Sequence, residues 1–470
     1  MIAELPILVL ILLIVSILAV CAFEFVNGFH DTANAVATVI YTNSLNPKVA
    51  VLWSGFCNFL GVMAGGIGVA MGIVNLLPAD FFLHSTATEG LAMILCLLLA
   101  AIIWNLSTWA LGLPASSSHT LIGSILGVGI SASWMGHSSS VNWEKAGEIG
   151  LSLLISPLMG FALAGGLIWF AHKLWKKHEV FFNEPDETNP PVWWLRGLLI
   201  TTCTGVSFFH GSNDGQKGVG LLMLILMATM PGYFALNPSH SYETLTQEVA
   251  AIQVRLQSIQ PIIQPVGNYE SPVQKGLSAA GKILEYEKQC HCLDKYDKIP
   301  NDSRYKVRSE IVKLKKAVKE IGSLETYRNT PVQKEMKGFE KDLSHYTDYA
   351  PIWAILLISV SLGLGTMIGW ERIVITIGEK IGKSHMSYAQ GAAAEMVASS
   401  TIGLSTALGL PVSTTHVLSS GVAGSMVAQD GLKNLQLGTV KNILLAWVLT
   451  LPVSMLLSGG FYWITRMLFF

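Results

Sequence analysis

Asn27-Gly28-Phe29-His30-Asp31-Thr32-Ala33-Asn34-Ala35 and His210-Gly211-Ser212-Asn213-Asp214-Gly215-Gln216-Lys217-Gly218 are two versions of one segment. Set on their aspartates, Asn27 meets His210, Gly28 meets Gly211, His30 meets Asn213 and Asn34 meets Lys217. Downstream of each lies a second matched pair, Leu113-Pro114-Ala115-Ser116-Ser117-Ser118-His119-Thr120 and Leu410-Pro411-Val412-Ser413-Thr414-Thr415-His416. Asp31 precedes Leu113 by 82 positions, whereas Asp214 precedes Leu410 by 196. The excess of 114 is nearly the length of the one long hydrophilic stretch, 233–349. The chain is therefore an apolar unit written twice, with a polar insert in the second copy. Duplicated membrane halves with polar breaks in their helices are how many secondary transporters build a site near the bilayer midplane.

Composition agrees with a membrane protein. Of 470 residues, 51% are hydrophobic and 13% charged, and the mean hydropathy is +0.49, too apolar for a soluble globular chain. Of 30 Lys and Arg, 17 fall in 233–349, as do 15 of the 31 Asp and Glu. The apolar stretches outside the insert include several that reach the roughly 20 residues a spanning helix takes. Shorter ones adjoin the repeated motifs, as discontinuous helices would. The expectation is an all-α polytopic fold with about 10–12 membrane segments. Its parts are a first repeat plus linker at 1–196, the start of the second repeat at 197–232, a helical cytoplasmic insert at 233–349, and the rest of the second repeat at 350–470.

A net charge of −1 offers nucleic acid no electrostatic footing. The N-terminal apolar run has no basic region before it and continues into the Asn27–Asn34 motif, so it reads as a first membrane helix. Cys21, Cys57, Cys96 and Cys203 sit singly within apolar runs, and Cys290-His291-Cys292 gives too few ligands at poor spacing for a metal. Lys173, Lys176, Lys177 and Arg196 flank the linker 172–196, and the Lys-rich insert follows; both are expected on the cytoplasmic side. That requires 197–230 to go in and return, as two incomplete helices meeting at 210–217. Within the insert, Leu245, Val249, Ile252, Leu256, Ile259 and Val307, Ile311, Leu314, Val318, Ile321 step by four and three. They predict two amphipathic helices packed as a hairpin.

Carboxylates are costly in hydrocarbon and are usually found facing a cavity or a partner. Asp31 and Asp214 each sit among amides and small residues at an expected helix break. The Leu-Pro motifs place proline in the first turn of a helix, where its missing N–H does no harm. Three hydroxyl residues follow at a helix N-terminus, which attracts an anion. Two such termini facing each other would cradle a tetrahedral oxyanion. Phosphate can share a proton with a carboxylate and sulfate cannot, which favours phosphate. Glu24 and Glu395 are further intramembrane acids, suited equally to proton relay or to a structural hydrogen bond, and His119 and His416 are expected to position the helix ends. No activated nucleophile, metal-ligand set or Gly-x-x-x-x-Gly-Lys-Ser/Thr loop appears, so neither an enzyme nor a nucleotide-driven pump is expected, and no cofactor.

Carried by Gly28–Thr38, Leu113–Thr120, Gly211–Gly220 and Leu410–His416, the sequence resembles the inorganic phosphate transporter (Pit) family, and within it the bacterial low-affinity phosphate permeases. The resemblance covers both membrane halves and is weakest in the insert. It implies an inverted-repeat fold, phosphate bound between the halves, cation-coupled uptake, a homodimer and an inner-membrane location. Phosphate is then assigned to Ser116, Ser117, Ser118, Thr120, Ser413, Thr414, Thr415, Asn34, Gln216 and Lys217. The coupling cation or proton is assigned to Asp31, Asp214, His30, Asn27, His210 and Asn213. Sodium-coupled relatives carry Gly-Ala-Asn-Asp-x-x-Asn in both copies, whereas here His30 replaces one amide and Lys217 another. A fixed ammonium and a titratable imidazole favour proton symport over sodium. The permeases are also associated with neutral metal–phosphate complexes, so a divalent metal is a further partner implied by the resemblance.

Overall fold

The computed structural model describes residues 5–77, 86–136, 141–174, 179–186, 189–260, 271–290 and 301–470. Within them every element is helical, with no strand. The helices longer than four residues are α1 (Ile7–Asp31), α2 (Ala33–Tyr41), α3 (Pro47–Ala64), α4 (Gly68–Val74), α5 (Ala87–Ala110), α6 (Ser117–Trp134), α7 (Trp143–Leu174) and α8 (Trp193–Thr229). They continue as α9 (Tyr242–Ile259), α10 (Pro272–Cys290), α11 (Asn301–Ser323), α12 (Pro331–Thr347), α13 (Ile352–Thr366), α14 (Glu371–Glu379), α15 (Tyr388–Ala407), α16 (Thr414–Asp430) and α17 (Leu437–Phe469). His291 and Cys292 lie outside the described residues. Contacts divide the chain into two compact units, one holding the membrane helices and the other 226–349.

In the first unit, Ile7–Tyr41, α3, α5, α7 and α17 are each long and apolar enough to cross a membrane. The other helices of the unit are shorter, less apolar or carry the polar motifs. Their order repeats, α1–α2, α3, α5, α6, α7 against α8, α13, α15, α16, α17. Corresponding helices end alike. After α5, Gly112 at φ +65° lets Leu113 N donate to Thr108 O at 2.9 Å. After α15, Gly409 at φ +68° lets Leu410 N donate to Ser405 O at 2.9 Å. Both are left-handed glycine caps of the Schellman type, and each turns the chain directly into a Leu-Pro motif.

The copies also exchange partners. A Cβ on Gly365 of α13 would lie 2.1 Å from Phe25 O on α1, and one on Gly61 of α3 would lie 2.0 Å from Phe208 O on α8. Phe25 and Phe208 are repeat counterparts, so each Asp helix packs on the other half's following helix. In the same way a Cβ on Gly127 of α6 would lie 2.2 Å from Met455 O on α17, and one on Gly424 of α16 would lie 2.1 Å from Phe161 O on α7. Small residues let backbones meet this closely, the main source of helix association where solvent is apolar.

The insert is a bundle of α9–α12. All ten stepped positions of the two foreseen helices are buried, but those helices do not form a hairpin by themselves. Between them lies α10, where a Cβ on Gly276 would lie within 4 Å of Leu256 on α9 and of Leu314 and Ala317 on α11. Its inner face is Val273, Ala279, Ala280 and Ile283, too small and sparse to give a strong apolar period. Ser241 caps α9 by accepting from Thr244 N at 3.1 Å. Arg308 of α11 is buried and donates to Ala235 O at 2.8 Å and Thr347 O at 2.6 Å, tying the entry and exit of the insert together. Burial pushes the Tyr349 phenol up to about 12.

Candidate functional site

Asp31 ends α1 without the expected break. Thr32 keeps a helical backbone (φ −52°, ψ −40°), Val36 N donates to Thr32 O at 3.2 Å, and α1 and α2 run on as one span, Ile7–Tyr41. The Thr32 hydroxyl lies 2.5 Å from Gly28 O and 2.9 Å from Thr366 O. The second copy differs from expectation as well. Asp214 lies inside α8, one continuous helix of 37 residues, so no pair of incomplete helices meets at 210–217. The segment has no proline, and its glycines serve packing: a Cβ on Gly211 would lie 2.2 Å from Asn58 O. The in-and-out path that would have placed both flanks on one side is therefore not taken.

The hydroxyl motifs open α6 and α16, but proline is not in the first turn. Ser116 and Ser413 are the caps, with extended backbones (φ −95°, ψ 113° and φ −90°, ψ 102°), accepting from His119 N and His416 N at 3.1 Å each. Pro114 and Pro411 stand two residues earlier, because a serine can satisfy an orphan N–H there and proline cannot. Thr120 donates to Ser116 O at 2.9 Å. Ser116, Ser413 and Thr120 are thus engaged within their own helices rather than with the aspartates.

The first helical residues turn to the aspartates. Ser117 Oγ is 3.0 Å from Asp31 Oδ2 and 3.4 Å from Asp214 Oδ2. Thr415 Oγ1 is 2.8 Å from Asp31 Oδ1, and Thr414 Oγ1 is 3.5 Å from Asp31 Oδ2. Lys217 Nζ pairs with Asp214 Oδ1 at 2.7 Å and donates to Ser118 Oγ, which itself donates to Val412 O at 2.7 Å. Asn34 Nδ2 donates to Thr415 Oγ1 at 3.0 Å. Asn34–Thr415 and Lys217–Ser118 are counterparts, so the same cross-repeat contact is made twice, once by an amide and once by an ammonium. All of these residues are buried.

His210 stands between the two carboxylates, with Nε2 3.7 Å from Asp31 Oδ2 and 3.6 Å from Asp214 Oδ2. Its Nδ1 is 2.9 Å from Asn58 Oδ1, and Asn58 Nδ2 in turn donates to Thr366 Oγ1 at 3.0 Å. That amide orientation assigns the Nδ1 proton to the Asn58 bond, so a neutral His210 turns its Nε2 lone pair toward the aspartates. Asp31, His210 and Asp214 then offer three ligand atoms within 4.8 Å of one another, a set that suits a cation. His30 Nδ1 lies 3.1 Å from Asp31 Oδ1, and its Nε2 lies 3.1 Å from Thr108 Oγ1.

Three foreseen amides are occupied elsewhere. Gln216 donates to Gly65 O at 2.5 Å and Ser212 O at 2.7 Å, and accepts from Val69 N at 2.8 Å, capping α4. Asn213 reaches Thr406 Oγ1 and Leu410 O and accepts from Val412 N at 3.3 Å, fixing the approach to α16. Asn27 turns to Glu24 Oε2 at 3.4 Å. In this arrangement Gln216 and Asn213 brace the site, while Asn27 keeps its Oδ1 without a partner among the described residues. The rings of His119 and His416 lie tilted by 35° with centroids 4.5 Å apart, and His416 stacks on Trp447 at 3.9 Å. Sequence reasoning missed Asn58, Thr108 and Trp447. Lone polar residues in otherwise apolar helices were the signal for the first two; nothing local marked the tryptophan.

Between residues 27 and 458 the chain matches the phosphate transporter family. It is 42% identical to the low-affinity inorganic phosphate transporter PitB of Escherichia coli K12, over 97% of each chain. To the probable low-affinity inorganic phosphate transporter of Bacillus subtilis 168 it is 28% identical, over 98% of this chain and 99% of that one. A solved structure described as the sodium-dependent phosphate transporter aligns over 97% of this chain and 99% of its own, with a TM-score of 0.55 and 21% identity, a likeness of fold. With the match spanning both Asp motifs and both hydroxyl motifs, the chain belongs to the phosphate transporter family.

Proposed function

We propose that this multi-pass membrane protein, a transporter and not an enzyme, takes up inorganic phosphate by secondary active proton symport, as a homodimer in the inner membrane. The carrying observation is the meeting of both hydroxyl-bearing helix N-termini with both intramembrane aspartates in one buried cluster. Ser117, Ser118, Thr414, Thr415, Asn34 and Lys217 supply the donors a phosphate needs, and the helix dipoles add to them. Asp31, Asp214, His30 and His210 take the coupling ion. The cation pairing of Lys217 with Asp214 at 2.7 Å opposes sodium at that carboxylate. The reciprocal packing of the halves supports an inverted repeat.

A second reading has an observation of its own. Asp31, His210 and Asp214 converge closely enough to hold a divalent metal, which favours cargo in the form of a neutral metal–phosphate complex. Both readings are tested by labelled phosphate uptake into proteoliposomes under a proton gradient, a sodium gradient, and graded divalent metal. Uptake that follows sodium at constant pH and ignores a protonophore defeats the proton assignment. Uptake indifferent to chelation of divalent metals defeats the complex.

A further inference from the structure

Glu24 lies on α1 two turns before Asp31, about 10 Å along the axis, and is fully buried. Its Oε2 accepts from Asn27 at 3.4 Å and the backbone N–H of Gly218 on α8 bears on its carboxyl, while its Oε1 has no further hydrogen-bond partner among the described residues. The nearby nitrogens do not serve it: ring nitrogens of His30 and His210 lie against Asp31 and Asp214, and Lys217 Nζ pairs with Asp214. Its carboxyl rests on α8 at Gly218, where a Cβ would sit 2.5 Å from Cγ and 2.6 Å from Oε1. Glu24, Asn27, Asp31 and Asn34 form one stripe along α1 and α2, and His210, Asp214 and Lys217 form another on α8. Glu24 thus extends the polar stripe of the transport site by one further acid, and the glycine opposite leaves room for it.

The charges acting on Glu24 are Asp214 and Lys217 on α8, opposite in sign, and its nearest titratable neighbour on α1 is Cys21. Of the other helices packed on α1, α13 carries no titratable side chain. On α5, Glu89 is engaged with Tyr462 and Arg466, and Cys96 with Thr465. An ionised carboxylate this deeply buried needs a cation or a set of donors. Beyond one long amide bond and the Gly218 backbone N–H, Glu24 has no ion pair among the described residues, so nothing locks its carboxyl to a fixed cation. A purely structural acid would use both oxygens, whereas the bare Oε1 is what a proton-carrying group presents.

We propose that Glu24 is a proton-binding residue of the coupling mechanism, taking up one proton on its carboxylate from one side of the membrane and releasing it to the other with each phosphate carried. The step is a proton transfer between water and a carboxylate oxygen, with no electron moved. It rests on the proton-symport reading, and one set of measurements separates the two. Reconstituted wild-type and Glu24→Gln proteins are compared for phosphate–phosphate exchange without a gradient and for accumulation under an inward gradient of one pH unit. One proton per phosphate gives the wild type about tenfold accumulation, since one pH unit is a factor of ten in proton activity. Glu24→Gln, a permanent mimic of the neutral acid, keeps exchange within about twofold and loses the accumulation. Tenfold accumulation by Glu24→Gln overturns the proposal for Glu24 and leaves proton symport standing. A wild type that accumulates under sodium and not under the pH gradient overturns both. If Glu24→Gln also loses exchange, Glu24→Asp decides: restored pH-driven accumulation supports a titrating carboxyl, and failure of both variants assigns Glu24 to structure and overturns the proposal.

Discussion

Lys217 occupies the position of Asn34 in the other repeat, and the two make the same reach, one to Ser118 and the other to Thr415. The substitution places a permanent charge beside Asp214. At about 4 Å, two unit charges repel by roughly 4 kcal/mol at an effective dielectric of 20, which under the proposed proton symport disfavours sodium at that carboxylate. Lys217→Asn should therefore lower proton-driven uptake by about a hundredfold or more, because breaking a buried pair costs about 3–5 kcal/mol. With His30→Asn added, some sodium dependence should emerge in vesicle uptake; continued indifference to sodium would show that other residues set the ion. Ser117 and Thr414 are the hydroxyls at the first helical positions that face the carboxylates. Replacing both by Ala should raise the half-saturation concentration for phosphate at least about tenfold, each charge-assisted bond being worth roughly 1.5–3 kcal/mol. An unchanged concentration would make them plain helix termini. The motif residues were legible in the sequence, but which of the hydroxyls face the aspartates was not. Ser116 and Ser117 are identical in chemistry and adjacent in the chain. Only the helix start separates a cap from a residue free to face the site.

The helices meet through glycine where the halves exchange partners. Gly61 and Gly365 each leave space for a carbonyl of the other half's Asp helix, so even a methyl group there must move a backbone. Gly365→Ala should destabilise the folded carrier by about 1–3 kcal/mol through overpacking, seen as a lower unfolding temperature in detergent. A melting point equal to wild type would mean α1 and α13 can part at no cost. In the insert, Arg308 satisfies two carbonyls, one from the start and one from the end of the insert's sequence. Arg308→Leu should leave both unpaired, costing about 1–3 kcal/mol, and should speed proteolysis between 233 and 349 in the intact protein. Protection equal to wild type would deny the residue that role. The apolar spacing foretold α9 and α11, since large side chains every three or four residues leave a readable period. It passed over α10, whose small inner residues are recognisable only once Leu256 and Leu314 are seen against Gly276.

Across the molecule, the two halves are related by the order of their helices, by matching glycine caps and by reciprocal packing. Leu111 and Leu408 hold equivalent places just before those caps, and both are exposed. In an inverted repeat, single cysteines at the two positions should react with a membrane-impermeant maleimide from opposite sides. Labelling of both from one side would keep the duplication and remove the inversion.

The sequence by itself determined the duplication, the helical membrane class, the place of the insert and the four motifs, because these are written in residue type and spacing along the chain. It also singled out both aspartates, His30, His210 and Lys217, whose charge in an apolar chain needs no coordinates to notice. Only the tertiary structure decided that α8 runs unbroken through the second motif, since glycine reads alike as a hinge or as a packing surface. Only it placed His210 between two aspartates 183 positions apart in the chain and turned Gln216, Asn213 and Asn27 away from them. An amide can donate or accept in any direction. What it does is fixed by which backbone groups have been left unpaired nearby, and that is a property of the packed helices.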